Sequence, residues 1–155
     1  EIKCGVIFDP IKNEMFVAEK GNGAYLNNSR IRVSKKKKLQ DALVVTGGPK
    51  NSSKNREYIF SEFLKVSNEV NSPVRKFGSA SLDMAYVASG RFDGYWQREL
   101  SYWDIAAGII IVKEAGGFVN IFDEDVKTPL KRNILASNSE IHDEMCDLIV
   151  KKNIE

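Results

Sequence analysis

Asp104 stands at the head of an apolar run, Trp103-Asp104-Ile105-Ala106-Ala107-Gly108, which continues to Glu114-Ala115-Gly116-Gly117. The spacing predicts a helix over 102–115 that starts on one carboxylate and closes on a glycine pair. Helix N-termini carry partial positive charge and unpaired N–H groups, so they attract anions. A carboxylate there can serve the helix, hold a metal ion, or do both. Ser101 lies three residues earlier, and Ser101-x-x-Asp104 fits a capping box with Asp in place of Glu or Gln. From spacing alone capping is the preferred role, and Trp103, on the apolar side, is expected in the core.

Two further segments could do chemistry. Phe77-Gly78-Ser79-Ala80-Ser81 follows an expected strand and opens an expected helix with small residues. Backbone N–H groups at such a turn can approach a phosphate closely. The same residues also suit an ordinary strand–helix turn with Ser79 or Ser81 as N-cap. In Asp93-Gly94-Tyr95-Trp96-Gln97-Arg98-Glu99 a strand ends in polar groups near the start of the Asp104 helix. Ligands of open α/β sheets gather at such strand ends. For Arg98 and Glu99 an exposed loop with a surface ion pair is the favoured reading. Gly21-x-Gly23 sits in a hairpin turn without the helix that a phosphate loop needs. His142, the only histidine, is expected at the surface of a polar helix face. Asp123-Glu124-Asp125 lacks the spacing of a calcium loop and reads as a solvated turn.

These residues must be positioned by the elements around them. Residues 2–33 read as an antiparallel meander: strands at Cys4–Phe8, Met15–Glu19, Ala24–Leu26 and Ile31–Val33, with turns at 9–14, 20–23 and 27–29. Lys35–Lys38 is a solvated link. From Asp41 strands and helices alternate. Strands are expected at Ala42–Thr46, Val74–Phe77, Gly94–Gln97, Phe118–Phe122 and Ile134–Ala136. Helices are expected at Asn55–Ser67, Ser79–Ser89, Tyr102–Ala115 and Glu140–Lys151. That alternation argues for a helix-covered sheet. The division expected is 1–38, the end of an N-terminal sheet region, and 39–155, a C-terminal α/β domain.

The 155 residues suffice for a core, and 43% hydrophobic with 28% charged residues suits a globular protein. A net charge of +2, from 23 basic and 21 acidic residues, gives no general argument for a nucleic-acid or membrane partner. Cys4 and Cys146 have no metal-site spacing and read as free thiols of a cytoplasmic protein. Glu1 is not a methionine and Ile2–Phe8 already reads as strand, so the chain is expected to begin within a fold.

Taken in order, these pieces resemble the inositol monophosphatase family. The carrying residues are Gly78-Ser79-Ala80 with Asp83-Met84-Ala85, then Gly90-x-x-Asp93-Gly94-Tyr95. Trp103-Asp104-Ile105-Ala106-Ala107-Gly108 follows, with Val112-x-Glu114-Ala115-Gly116-Gly117. Gly5-Val6-Ile7-Phe8-Asp9-Pro10, Phe16-x-Ala18-x-x-Gly21-x-Gly23-Ala24 and Ile31-Arg32-Val33-Ser34 extend the likeness over essentially the whole chain.

The resemblance implies an αβαβα sandwich, of which this α/β chain would be the C-terminal part: an antiparallel meander followed by a helix-covered mixed sheet. It implies magnesium-dependent hydrolysis of phosphate monoesters. Asp104 matches a catalytic metal-ligand aspartate, and Gly78, Ser79 and Ala80 match a substrate-contacting turn. Gln97 stands where many inositol-phosphate hydrolases have a glutamate that contacts sugar hydroxyls; glutamine keeps an acceptor and loses the charge. The family's upstream Glu-Glu pair and Asp-Pro-Ile/Leu-Asp-Gly-Thr motif do not occur here. Asp9-Pro10-Ile11-Lys12-Asn13 imitates the second, but Lys12 replaces its essential aspartate.

The chain is therefore expected to be inactive or nearly so alone. It would work on a small phosphorylated polyol with several Mg²⁺ ions once an N-terminal segment, or a second copy covering the meander, completes it. Two alternatives stand beside this reading. One is a non-catalytic scaffold, as some bacterial relatives are linked to RNA polymerase; the other is a phosphatase for fructose 1,6-bisphosphate or a nucleotide.

Overall fold

Alternation in Cys4–Asp9 (β1) turns Gly5, Ile7 and Asp9 inward and Val6 and Phe8 outward. The computed structural model describes residues 1–49, 52–122 and 131–150. β1 pairs antiparallel with Glu14–Glu19 (β2), which pairs with Gly23–Leu26 (β3) and that with Ser29–Ile31 (β4). Asn27 and Asn28, at φ 44° and 68°, make a two-residue turn between β3 and β4. Asparagine tolerates that conformation, so β4 begins earlier than the expected Ile31–Val33.

The second sheet comprises Val44–Thr46 (β5), Gly94–Ser101 (β6), Phe118–Phe122 (β7) and Lys131–Ser137 (β8), in the order β5-β6-β8-β7. β5 runs parallel to β6 and the other pairs are antiparallel, so the sheet is mixed. Helices Ala80–Ala88 (α2) and Tyr102–Glu114 (α3) lie between the two sheets. Arg56–Glu69 (α1) and His142–Ile149 (α4) cover the far face of the second. The layers thus run meander, α2 and α3, mixed sheet, α1 and α4, matching the expected C-terminal part of the sandwich.

The parity of β6 and β8 organises the packing. Tyr95, Ile134 and Ala136 face α2 and α3, whereas Trp96 and Leu135 face α1 and α4. Because α3 is covered on both sides it is apolar nearly all round, which accounts for Ile109-Ile110-Ile111-Val112. Each such side chain, once buried, contributes about 1.5–3 kcal/mol. Gly108 lets α2 come close: a Cβ there would lie 2.7 Å from Met84 Sδ.

Several expectations are corrected. The strand at Val74–Phe77 reduces to a parallel bridge between Arg75 and Val45, because Gly78, at φ +91°, swings the chain away into α2. β6 does not end at Gln97. It continues to Ser101 through a bulge in which Glu99 adopts φ 60°. Arg98 is no surface residue; it is buried, and its ion pair is with Glu62 of α1 at 2.5 Å rather than with Glu99. Trp103, expected in the core, is 72% exposed. His142, expected at the surface, is buried against Ser137, with Nδ1 and Oγ 2.7 Å apart. Lys35–Lys38 is exposed coil, as expected of a link. Lys151, the expected end of the last helix, and the turn Asp123-Glu124-Asp125 lie outside the described residues.

Candidate active site

β5 and β6 run side by side, and each delivers polar backbone or side chains to the same end of the sheet. After Thr46 the chain turns through Gly47-Gly48-Pro49. One residue beyond Trp96, the partner of Thr46, stands Gln97. The N-termini of α2 and α3 meet them there. Together Gly47, Gly48, Pro49, Gly78–Ser81, Gln97, Leu100, Trp103 and Asp104 line a cleft of about 440 Å³. Gly78, Ser79, Ala80, Gln97 and Asp104, chosen from the sequence, all lie in it.

Each residue is held by local chemistry. Ser79 caps α2: its Oγ accepts from the Leu82 N–H at 3.5 Å, and its carbonyl accepts from the Asp83 N–H at 2.9 Å. The N–H groups of Ala80 and Ser81, in the first turn, keep no partner within the helix. They point positive charge at the cleft. Ser101 and Asp104 form the expected capping box of α3, the Ser101 N–H donating to Asp104 Oδ2 at 3.0 Å. Capping occupies one carboxylate oxygen and leaves Oδ1 without a donor among the described residues. The structural and the chemical roles of Asp104 are therefore compatible.

Gln97 is pinned on two sides. The Tyr95 hydroxyl donates to its Oε1 at 2.8 Å. Gly47 makes room for it, since a Cβ at Gly47 would fall 1.8 Å from Oε1. Beneath the cleft Asp83 is fully buried, and neither of its oxygens has a hydrogen-bond partner among the described residues. Burial pushes its carboxyl up to about 7. Burial, and the negative charges of Asp83 and Asp104, push the Tyr95 phenol well above its ordinary value, so it stays a neutral donor.

Gly21-x-Gly23, Asp9 and His142 lie outside the cleft lining. The Gly21 and Gly23 N–H groups do bind an anion, but it is the Glu114 carboxylate, at 2.9 Å each. Asp9 spends Oδ1 on the N–H groups of Ile11 and Lys12 and Oδ2 on the Tyr86 hydroxyl, which fastens the β1–β2 turn to α2. His142 begins α4 and packs against the Phe118 ring, 5.4 Å between centroids.

Sequence reasoning missed Gly47-Gly48-Pro49, the role of Leu100, and the use of Trp103 as a wall. A glycine pair directly after a short apolar strand was the available signal for the first. No group of three or more His, Cys, Asp or Glu side chains able to hold a metal occurs among the described residues. Asp104 suits one position of a magnesium ion and does not make a centre alone, since such ions need further oxygens.

The family model described as "Inositol monophosphatase family" matches residues 1–153. The chain belongs to the inositol monophosphatase family. It is 40% identical over 148 residues to the inositol-1-monophosphatase of Caulobacter vibrioides, covering 94% of this chain and 57% of that protein. It is 42% identical to the Nus factor SuhB of Haemophilus influenzae, covering 95% and 55%. The crystal structure of extragenic suppressor protein SuhB from Bartonella henselae superposes with a TM-score of 0.87 at 43% identity, over 98% of this chain and 57% of that one. The chain spans about half the length of the curated relatives it matches. Phosphatase membership at family level, and the sandwich fold, follow from these matches.

Proposed function

We propose that this chain carries the phosphate-binding half of a magnesium-dependent phosphomonoesterase site of the inositol monophosphatase type, acting on a small phosphorylated polyol. The observation that carries the reading is the convergence of Asp104, Gln97 and the Gly78–Ala80 turn, far apart in sequence, on one cleft at two helix N-termini. The Ala80 and Ser81 N–H groups hold and orient the phosphate, and Gln97 contacts the alcohol end. Asp104 shares the cleft with that anion, and the two repel unless a cation lies between them. Magnesium there would supply charge neutralisation and an acidified water. Asp104 gives it one oxygen. The remaining carboxylates come from an N-terminal segment or a partner chain. No helix among the described residues is long and apolar enough to cross a membrane. With Cys4 an exposed thiol, a cytoplasmic setting is proposed.

The test is magnesium-dependent phosphate release from inositol 1-phosphate, by this chain alone and mixed with an upstream segment bearing acidic motifs. Activity only in the mixture, lost in Asp104→Asn, is expected. No gain on mixing would count against the reading. It would favour the non-catalytic alternative, to which the 42% identity with a protein named Nus factor lends support.

A further inference from the structure

Among the described residues, the non-glycine positions with positive φ are Asn13, Asn27 and Asn28, all in hairpin turns, and Glu99, at φ 60° inside β6. Asparagine adopts that conformation readily, whereas the Cβ of a glutamate crowds the next carbonyl. Such strain persists only where surrounding contacts hold it. Three hydrogen bonds hold it here. The Glu99 N–H donates to Asn133 Oδ1 at 3.0 Å. Glu99 Oε1 accepts from the Ser53 hydroxyl at 2.9 Å and from Asn55 Nδ2 at 3.1 Å.

Backbone and side chain of Glu99 each bear on the cleft without lining it. Along a regular strand, residues three apart point to opposite faces. Gln97 and Leu100 nevertheless both line the cleft. The register of β6 against β8 shifts between them, and the bulge turns Leu100 back to the side of Tyr95, in the same core cluster. The carboxylate meanwhile grips the connection from β5 to α1, to which Ser53 and Asn55 belong. That connection begins with Gly47, Gly48 and Pro49, which line the cleft. Its start is fixed at Thr46, whose Oγ1 donates to the Trp96 carbonyl at 2.6 Å. Ser53 follows Pro49 by a span of at most about 14 Å, so holding Ser53 and Asn55 restricts where the Gly47–Pro49 wall can move.

We infer that Glu99 is a positioning residue for the cleft: its bulged backbone sets Leu100 on the side of Gln97, and its carboxylate tethers the connection that supplies the Gly47–Pro49 wall. The inference rests on the phosphomonoesterase reading for the ligand and adds to it a residue that touches no substrate. The two tasks can be separated. Glycine takes φ 60° freely and carries no carboxylate. Glutamine keeps the Oε1 acceptor together with the strain. The wall adjoins Gln97, because Gly47 makes room for that side chain. Loosening the wall therefore disturbs the alcohol end of a bound phosphate ester more than the phosphate, which lies at the α2 N-terminus.

The experiment compares the native chain with Glu99→Gly, Glu99→Gln and the double variant Ser53→Ala with Asn55→Ala. Each is titrated with inositol 1-phosphate and with inorganic phosphate, magnesium present, by calorimetry. Order at the Gly47 and Gly48 amides is read without ligand by ¹⁵N relaxation, and thermal unfolding is followed alongside. Glu99→Gly should unfold no lower than the native chain, yet bind inositol 1-phosphate about fivefold more weakly. Its affinity for inorganic phosphate should stay within about twofold, and the Gly47 and Gly48 amides should lose order. The double variant should show the same weakening and the same loss of order. Glu99→Gln should stay within about twofold of native for both probes. Native affinity and native Gly47 and Gly48 order in Glu99→Gly would overturn the inference, as would a glutamine variant as weak as the glycine one. Binding of neither probe by the native chain would remove the phosphomonoesterase reading. Relaxation would then decide the positioning role by itself: lost order in Glu99→Gly upholds it, and unchanged order overturns it.

Discussion

The Ser101 N–H donates to Asp104 Oδ2 at 3.0 Å, closing the capping box of α3 at the edge of the cleft. One carboxylate thereby ends a helix and offers its second oxygen to whatever binds there. The two tasks separate on mutation. Asp104→Asn keeps an oxygen for the cap, so urea unfolding should move by less than about 1 kcal/mol. Asp104→Ala loses the cap and should cost about 1 kcal/mol. Both variants should abolish magnesium-dependent phosphate release in the completed site. Turnover surviving in the Asn variant would sink the metal-ligand role.

Asp83 makes stability depend on pH. The folded chain keeps the Asp83 proton up to about pH 7, whereas the ordinary carboxyl value is 3.8. Across that window the folded state binds more protons than the unfolded state, so stability falls as pH rises through it. Asp83→Asn lacks this slope. It should be more stable than the native chain near pH 8, by up to about 4 kcal/mol, with the gain vanishing towards pH 4. Denaturant midpoints across pH measure this; parallel curves for the two proteins would refute it.

Arg98 and Glu62 bind β6 to α1. Arg98 Nε donates to both carboxylate oxygens at 2.8 and 2.9 Å, and the guanidinium stacks on the Tyr58 and Phe122 rings. Removing one partner strands the other charge in the interior. Glu62→Gln or Arg98→Met should each cost about 3–5 kcal/mol. The pair Glu62→Gln with Arg98→Met should cost less than the two singles added, as a double-mutant cycle would read.

Gly47 is where a methyl group would do most damage to the cleft and least to the core. Gly47→Ala sets a Cβ 1.8 Å from Gln97 Oε1, so Gln97 must leave its place against Tyr95. Binding of inositol 1-phosphate should weaken about tenfold or more, with thermal unfolding shifted little. An unchanged dissociation constant would show that Gln97 does not contact ligand.

Local pattern carried much of this fold. Strands β1, β2 and β7 and helices α2 and α3 are marked by side-chain periodicity and by small or capping residues at their ends, all short-range signals. Asp104, the Gly78–Ala80 turn and Gln97 could be singled out because their types and spacing are themselves local. The Asn27-Asn28 turn shifted β4 because φ preference, and not polarity, sets hairpin length.

What sequence by itself determined was the family, the layer order and the residues that could do chemistry. Tertiary structure alone decided where four of them face. Arg98 is buried because parity along β6 turns it towards Glu62, over thirty positions earlier in the chain. Trp103 is exposed because α3 begins at the open mouth of the cleft, beyond the sheet that covers the rest of the helix. His142 is buried because β8 brings Ser137 beneath α4. The Gln97 amide offers donors because Tyr95, two residues away on the same strand face, takes its oxygen. Facing and hydrogen-bond direction depend on contacts between segments distant in the chain, and no local spacing encodes them.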